Sequence, residues 1–152
     1  MKKLYVATLL FITLSGSMNY AQSNGFGLGV ILGSPTGISA KYWTSGTNAF
    51  DFGLGYSFEK KSRMHLHGDY LFHSSDMFRT SENIALYYGP GLRLKFREDD
   101  NARVGFRGVL GLVWIPRGSK VDVFIEIVPV MDLIPATEFS MNGGIGFRFF
   151  FN

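Results

Sequence analysis

The end of the chain, residues 137–152, alternates between two kinds of side chain. Every second residue is mostly large and apolar, and these positions are Phe139, Met141, Gly143, Ile145, Phe147, Phe149 and Phe151. The residues between them are mostly small or polar and include a single arginine, Arg148. A period of two is the pattern of a β-strand whose two faces meet different surroundings. Residues 137–152 are therefore predicted to form such a strand.

The same period of two recurs along the whole chain between short polar segments. It is clearest at residues 49–58, where large apolar residues at even positions oppose Asp51, Gly53, Gly55 and Ser57. Segments rich in Gly, Pro, Asn and Ser separate the alternating stretches and predict turns. We predict eight strands, at residues 26–33, 38–43, 49–58, 63–73, 83–97, 103–114, 121–130 and 137–152. Short connections between consecutive strands predict an antiparallel meander.

Three prolines bear on these strand boundaries. Pro90 lies inside the fifth predicted strand, and we expect a bend or a broken pairing there because proline has no backbone N–H. The alternation keeps its parity across Pro90, which argues against a one-residue bulge. Pro129 and Pro135 are expected to bracket the last connection.

Residues 1–21 have the layout of a secretory signal peptide: two lysines, an apolar run over residues 4–14, then small and polar residues. The apolar run is shorter than the ~20 residues that a membrane-spanning helix needs. Cleavage is predicted after Ala21, with Ser17 as the alternative, which leaves residues 22–152 as one barrel domain. Removing the two lysines lowers the formal net charge from +3 to +1, so a nucleic-acid partner gains no support. The chain has no cysteine, which excludes disulfides and a lipoprotein anchor.

The composition of the second face decides which side of the barrel points outward. A soluble barrel also alternates, with its apolar face inside, but its outer face must be hydrophilic. Here the second face consists mainly of glycine with isolated charges, which suits the interior of a narrow barrel. The aromatic face suits lipid, and the residues available for interfacial girdles are Tyr42, Tyr56, Tyr70, Tyr88 and Trp114. We predict an all-β, eight-stranded antiparallel up-and-down transmembrane β-barrel. A soluble periplasmic barrel that carries an apolar ligand, as lipocalins do, is the alternative.

The chain resembles the small eight-stranded outer-membrane barrels of the OmpA transmembrane domain and OmpX type. Residues 124–151 resemble small uncharacterised barrel proteins of spirochaetes and Bacteroidetes, and the alternate phenylalanines resemble the C-terminal strand that closes such barrels. The resemblance implies the cell outer membrane, both termini in the periplasm and a plugged lumen. It also implies two partners: outer-membrane lipid, and the insertion machinery that reads the C-terminal strand. It implies no activity, since members serve as anchors, adhesins, host-factor binders or enzymes.

Charged residues on the glycine face are the main candidates for a site. Acidic and basic side chains that point inward can pair with one another, which satisfies charges that are removed from water. We predict a luminal ion-pair network that fills and rigidifies the barrel, made of Asp51, Asp69, Arg93, Arg107, Asp122, Glu126 and Arg148. A conducting pore is the alternative, but eight strands leave little room for one.

Other residue patterns suggest chemistry, and each has a simpler explanation. His65, His67 and His73 share one face with Asp69 and could bind a metal ion, yet such residues also line polar lumens. The run His73, Ser74, Ser75, Asp76 suggests a serine hydrolase, but adjacency in sequence does not place a triad in space. Glycine clusters near both chain ends have no following helix, which a phosphate loop requires. We therefore expect no catalytic residue, metal or cofactor, and a structural or surface-interaction role; a lipid-modifying barrel enzyme is the alternative.

Overall fold

A computed structural model of the chain describes residues 25–57, 63–75, 78, 81–97 and 100–151. The predicted signal peptide lies outside the described residues, and so do Phe58, Asp76 and Asn152. Within the described ranges there is no helix long and apolar enough to cross a membrane.

The described residues form eight strands in chain order. They are β1 (Gly25–Ser34), β2 (Gly37–Trp43), β3 (Asn48–Ser57), β4 (Arg63–Ser74), β5 (Ile84–Arg97), β6 (Asp100–Trp114), β7 (Val121–Ile134) and β8 (Glu138–Phe151). Each strand pairs antiparallel with the next, and β1 pairs with β8. The sheet is a closed barrel, which confirms the predicted eight-stranded up-and-down fold.

The last strand closes the barrel against the first. The β1–β8 ladder runs from Phe26 opposite Phe151 to Ser34 opposite Gly143, and the rings of Phe26 and Phe151 stack with centroids 6.5 Å apart. On its other side β8 pairs with β7 from Phe149 to Glu138. Because the barrel is closed, every strand has a paired neighbour on both sides. A free edge would expose unpaired backbone N–H and C=O groups to hydrocarbon, which is unfavourable.

The two faces of the barrel differ as the alternation predicts. The outer face carries large apolar side chains on every strand, and Phe106 and Phe139 are 58% and 63% exposed. The inner face buries charged residues: Arg148 and Asp122 are 0% exposed. A soluble barrel needs the opposite arrangement, so the alternative of a soluble carrier with an apolar cavity is wrong. Of the predicted girdle residues, Tyr42, Tyr56, Tyr88 and Trp114 are exposed on the outer face and Tyr70 is half-exposed.

Glycines on the inner face make room for larger residues from neighbouring strands. A Cβ at Gly53 would overlap the imidazole of His67, and a Cβ at Gly146 would overlap the ring of Phe124 and the carbonyl oxygen of Val30. The lumen is thus filled by alternating large and small positions, as expected of a narrow barrel.

Two strand boundaries differ from the sequence prediction by more than one residue. β7 continues to Ile134 instead of ending near Val130, and Pro129 lies within it rather than at its end, so the prediction that Pro129 bounds the last connection is wrong. A proline is compatible with a strand interior where the neighbouring ladder is interrupted. β6 begins at Asp100, three residues earlier than predicted.

Pro90 and Pro129 interrupt two ladders without shifting their register. The β4–β5 pairs stop at Asp69–Gly91 and resume at Phe72–Tyr88, so Pro90 has no ladder partner on β4, whereas its pairing with Gly108 of β6 is intact. This confirms the predicted broken pairing and the absence of a bulge at Pro90. The β6–β7 ladder likewise skips from Arg107–Val130 to Leu110–Ile127, which passes over Pro129.

The two ends of the barrel differ in the length of their connections. Residues 44–47, 75–83 and 115–120 connect strands at the end where β1 begins and β8 finishes. The connections at the opposite end are residues 35–36, 58–62, 98–99 and 135–137, none longer than five residues.

Candidate functional site: the buried charges of the lumen

Arg148 is the centre of the first group of buried charges. Its parity on β8 points it into the lumen, where Nη1 donates to Asp51 Oδ1 at 2.7 Å and Nε donates to Asp122 Oδ1 at 3.0 Å. The guanidinium also lies over the ring of Phe124, with Cζ 4.1 Å from the ring centroid. Asp51 is on β3, which is not a neighbour of β8, so this ion pair spans the lumen.

Arg107 is the centre of the second group. Its Nε lies 2.7 Å from Asp69 Oδ1, and its Nη2 lies 3.7 Å from Glu126 Oε1. Tyr87 donates from its hydroxyl to Glu126 Oε2 at 2.8 Å. All four side chains are buried. The Arg107–Asp69 contact joins β6 to β4 and the Tyr87–Glu126 contact joins β5 to β7, and neither pair of strands is adjacent in the barrel. The Arg107–Glu126 contact joins the adjacent strands β6 and β7.

Asp51 and Asp69 connect the two groups. They lie directly opposite each other on β3 and β4, and together with His67 they offer ligand atoms within 4.8 Å of one another. Like charges in such a cross-strand pair are unfavourable unless they are compensated. Arg148 compensates Asp51 and Arg107 compensates Asp69, so the carboxylates that a metal ion would use already have counter-charges.

A third ion pair lies toward the end of the barrel opposite the termini. Arg93 of β5 donates from Nη2 to both carboxylate oxygens of Asp132 of β7, at 2.7 and 2.6 Å. Arg103 lies 4.0 Å from the same carboxylate and donates to Glu138 at 2.9 Å. Glu138 is exposed, so this group extends from the buried lumen to the rim.

Lys41 lies toward the opposite end, fully buried on β2. Its Nζ is 2.7 Å from His73 Nε2 and 4.5 Å from the centroid of Trp43, and His73 Nδ1 is 3.0 Å from the carbonyl oxygen of Thr47. These contacts fit the tautomer in which Nδ1 donates to Thr47 and Nε2 accepts from Lys41. Both ring nitrogens of His73 are thereby occupied, which leaves neither to act as a base for Ser74.

The structure places all seven residues of the expected network in the lumen, and they are all buried. These contacts also include residues outside the predicted network, among them the buried Lys41, Tyr87 and Asp132. Lys41 and Tyr87 have the inward parity and could have been included on that signal. Asp132 was missed because the seventh strand was predicted to end near Val130.

Apolar side chains are also buried in the lumen. The buried apolar residues include Trp43, Leu71, Val113, Phe124 and Phe150. Most of them lie on the half of each strand near the chain termini, next to Lys41 and Arg148. Packed hydrocarbon around the guanidinium and ammonium groups lowers the local dielectric and strengthens each ion pair, while it makes an unpaired charge costly.

A family model described as outer membrane protein beta-barrel domain matches residues 7–152. No curated protein and no solved structure gives a significant match.

Proposed function

Because the chain belongs to the outer membrane protein β-barrel domain family and resides in the cell outer membrane, we propose that it is a structural or surface-interacting component of that membrane. We further propose that its lumen is closed by the ion-pair network and that the protein neither conducts nor catalyses.

One observation supports this proposal above the others: the buried ion pairs join strands across the lumen. Arg148 of β8 contacts Asp51 of β3, Arg107 of β6 contacts Asp69 of β4, and Arg93 of β5 contacts Asp132 of β7. None of these strand pairs is adjacent in the barrel. Contacts of this kind brace a barrel internally and occupy the space that a water-filled channel would need.

Conductance measurements test the closed lumen. The full chain is refolded into a planar lipid bilayer, and its folded state is verified by the difference in gel mobility between boiled and unboiled samples. We expect no discrete conductance steps. Steps of stable amplitude from protein that passes the mobility test would contradict the plug and favour the pore.

The role in the membrane is tested in cells. We expect deletion of the gene to weaken the envelope against detergent, and the wild-type gene to restore resistance. A deletion strain that behaves as the parent under detergent and osmotic stress would argue against a structural role and leave surface interaction as the proposed role.

We also propose that the insertion machinery engages β8, because its outer face carries Phe147, Phe149 and Phe151 in alternation.

The lipid-modifying enzyme remains the second candidate class, and the His73 contacts count against it. A serine hydrolase needs a histidine that accepts a proton from the nucleophile. We expect the refolded wild type to show no lipase or acyltransferase activity above a lipid-only blank. The Ser74→Ala variant is expected to give the same result. Activity that is present in the wild type and lost in Ser74→Ala would overturn the non-enzymatic proposal.

A further inference from the structure

β8 extends beyond the end of β1, the strand with which it closes the barrel. The β1–β8 ladder ends at Ser34 opposite Gly143, and the chain then turns through residues 35–36 into β2. β8 also includes residues 138–142, which pair with β7, but among the described residues no strand pairs with them on the other side. These residues are here called the β8 edge. β1 has 10 residues, which is enough to cross the hydrocarbon, so the β8 edge lies outside it.

The backbone groups of the β8 edge point alternately to its two sides. Phe150 donates its N–H to the carbonyl oxygen of Lys120, the residue before β7, so the even-numbered residues of β8 direct their N–H and C=O groups toward β7. The β7–β8 register has no shift, so this alternation holds along the whole strand. Phe139 and Met141 therefore direct their N–H and C=O groups toward the open side. Unpaired groups in such a row are a template for another strand.

The two faces of the β8 edge differ in chemistry. The side chains of Phe139 and Met141 lie on the outer face and are 63% and 61% exposed. Ser140 and Asn142 lie on the inner face, where Ser140 Oγ and Asn142 Nδ2 are buried and have no hydrogen-bond partner within the described ranges. Charged residues or prolines commonly protect a free edge, and neither of the open positions carries one. A strand with apolar residues outside and polar residues inside therefore matches the β8 edge.

The connection between β1 and β2 leaves room for such a strand. Thr36 Oγ1 accepts from the N–H of Gly33 and donates to its carbonyl oxygen, which closes a tight turn. Pro35 lies over β3, where a Cβ at Gly55 would overlap its ring, so the turn leans away from β8. Beyond this turn β8 and β3 are separated by three strand spacings, about 14 Å. One added strand fits beside β8 without displacing any described residue.

We propose that the β8 edge binds an extended segment of another protein by antiparallel strand addition, along the line that β1 follows below it. Alternate apolar residues of this segment lie beside Phe139 and Met141, and its polar residues lie beside Ser140. With the termini in the periplasm, as the resemblance to small outer-membrane barrels implies, the β8 edge faces the cell exterior. The proposal names a class of partner for the surface-interacting role and rests on that role.

A second copy of the barrel does not fit the β8 edge. Two copies that are inserted in the same direction are related by a twofold axis along the membrane normal. Each β8 is tilted by roughly 35–45° from that axis, so the two edges cross at a large angle and cannot form an antiparallel ladder. Lipid acyl chains are also excluded as the specific occupant, because they offer no donor or acceptor to the open N–H and C=O groups.

Peptide binding to the refolded full chain tests the proposal. The probe is a short, fluorescently labelled peptide of alternating valine and threonine with a lysine at each end, and its anisotropy is followed while the barrel in lipid nanodiscs is added. In the proposed pairing, valines opposite Phe139 and Met141 direct their N–H groups toward β8, and the threonines direct theirs away. One control peptide therefore carries N-methyl groups on the valines, and another carries them on the threonines.

We expect the unmodified and the threonine-methylated peptides to bind with affinities within about twofold of each other. The valine-methylated peptide should bind at least about tenfold more weakly, because it lacks the donors that face β8. Binding that survives methylation of the valines, or no binding of the unmodified peptide, would overturn the proposal. Either result would leave a surface role that is carried by side chains of the connections, so it would not count against the proposed function itself.

Substitutions at Met141 separate backbone pairing from side-chain contact. Met141→Pro removes an N–H that points away from β7, so the β7–β8 ladder is kept. Met141→Val is the matched control, because it changes the side chain and keeps the N–H. With folding verified by heat-dependent gel mobility, we expect Met141→Pro to weaken binding of the unmodified peptide about tenfold and Met141→Val to stay within about twofold of the wild type. Equal affinities in the two variants would overturn the assignment, and so would a dimer of the wild type that Met141→Pro abolishes.

Discussion

Among the described residues, Arg148 is the side chain that hydrogen-bonds both Asp51 and Asp122. The substitution Arg148→Met removes both hydrogen bonds, and the contacts indicate how much stability is lost. Both carboxylates are buried, and each accepts a hydrogen bond from the guanidinium, at 2.7 and 3.0 Å. Methionine keeps much of the packing against Phe124 but leaves two buried carboxylates without this partner. Breaking one buried ion pair destabilises a protein by roughly 3–5 kcal/mol. We expect a loss of about 4 kcal/mol here.

Urea unfolding in detergent micelles measures this loss. With a urea dependence of about 2 kcal/mol per molar, a loss of about 4 kcal/mol lowers the unfolding midpoint by about 2 M. Gel mobility of unboiled samples reports the folded fraction. Arg117→Met is the matched control, since Arg117 lies exposed in the connection between β6 and β7 and its removal is expected to change stability by about 0.5 kcal/mol or less.

A triple variant distinguishes loss of charge compensation from loss of shape. Arg148→Met combined with Asp51→Leu and Asp122→Leu replaces all three charges by apolar side chains of similar size, and such replacements are often nearly neutral. We expect it to recover more than half of the stability lost in the single variant. A single variant that loses less than about 1 kcal/mol, or a triple variant as unstable as the single one, would refute the electrostatic account of the lumen.

Three other substitutions test separate parts of the barrel. Gly146→Val is expected to abolish the heat-shifted band on gels, because its side chain would overlap Phe124 and backbone; a normal refolding yield would contradict the packing described. Tyr87→Phe removes a donor to the buried Glu126 carboxylate and should lower the free energy of unfolding by about 1–3 kcal/mol in urea titrations. An unchanged midpoint would show that the hydroxyl does not contribute to stability. Ile145→Arg places a charge on the outer face near mid-strand and should cost about 2–4 kcal/mol in lipid vesicles, whereas an unchanged stability there would argue against lipid contact.

The period of two carries most of the information about the fold. It assigns each residue of β3 and β8 to a face, and the glycines on one face indicate which side is inside. Parity alone places Asp51 and Arg148 in the lumen. It does not say that they meet, because β3 and β8 are far apart in the chain, and the stagger of a closed barrel decides which inward residues lie at the same level.

Strand ends are harder to predict than strand faces. The sequence predicts Pro129 at the boundary of the last connection, but in the structure the β6–β7 ladder only skips this residue and resumes beyond it in the same register. The strand therefore continues, and Asp132 joins Arg93 inside the barrel. Lys41 is a different case, since its partners are a histidine and aromatic rings rather than a carboxylate, which charge matching along the sequence does not reveal.

The short connections at one end of the barrel have a practical consequence. With the termini in the periplasm, as the resemblance to small outer-membrane barrels implies, the connections on the cell-surface side are residues 35–36, 58–62, 98–99 and 135–137. An antibody or a phage would therefore have few exposed residues to bind, and those residues are divided among four separate connections. Immunisation with the folded protein should therefore yield few antibodies that label intact cells. An epitope tag for surface display belongs in residues 58–62, the longest of the four.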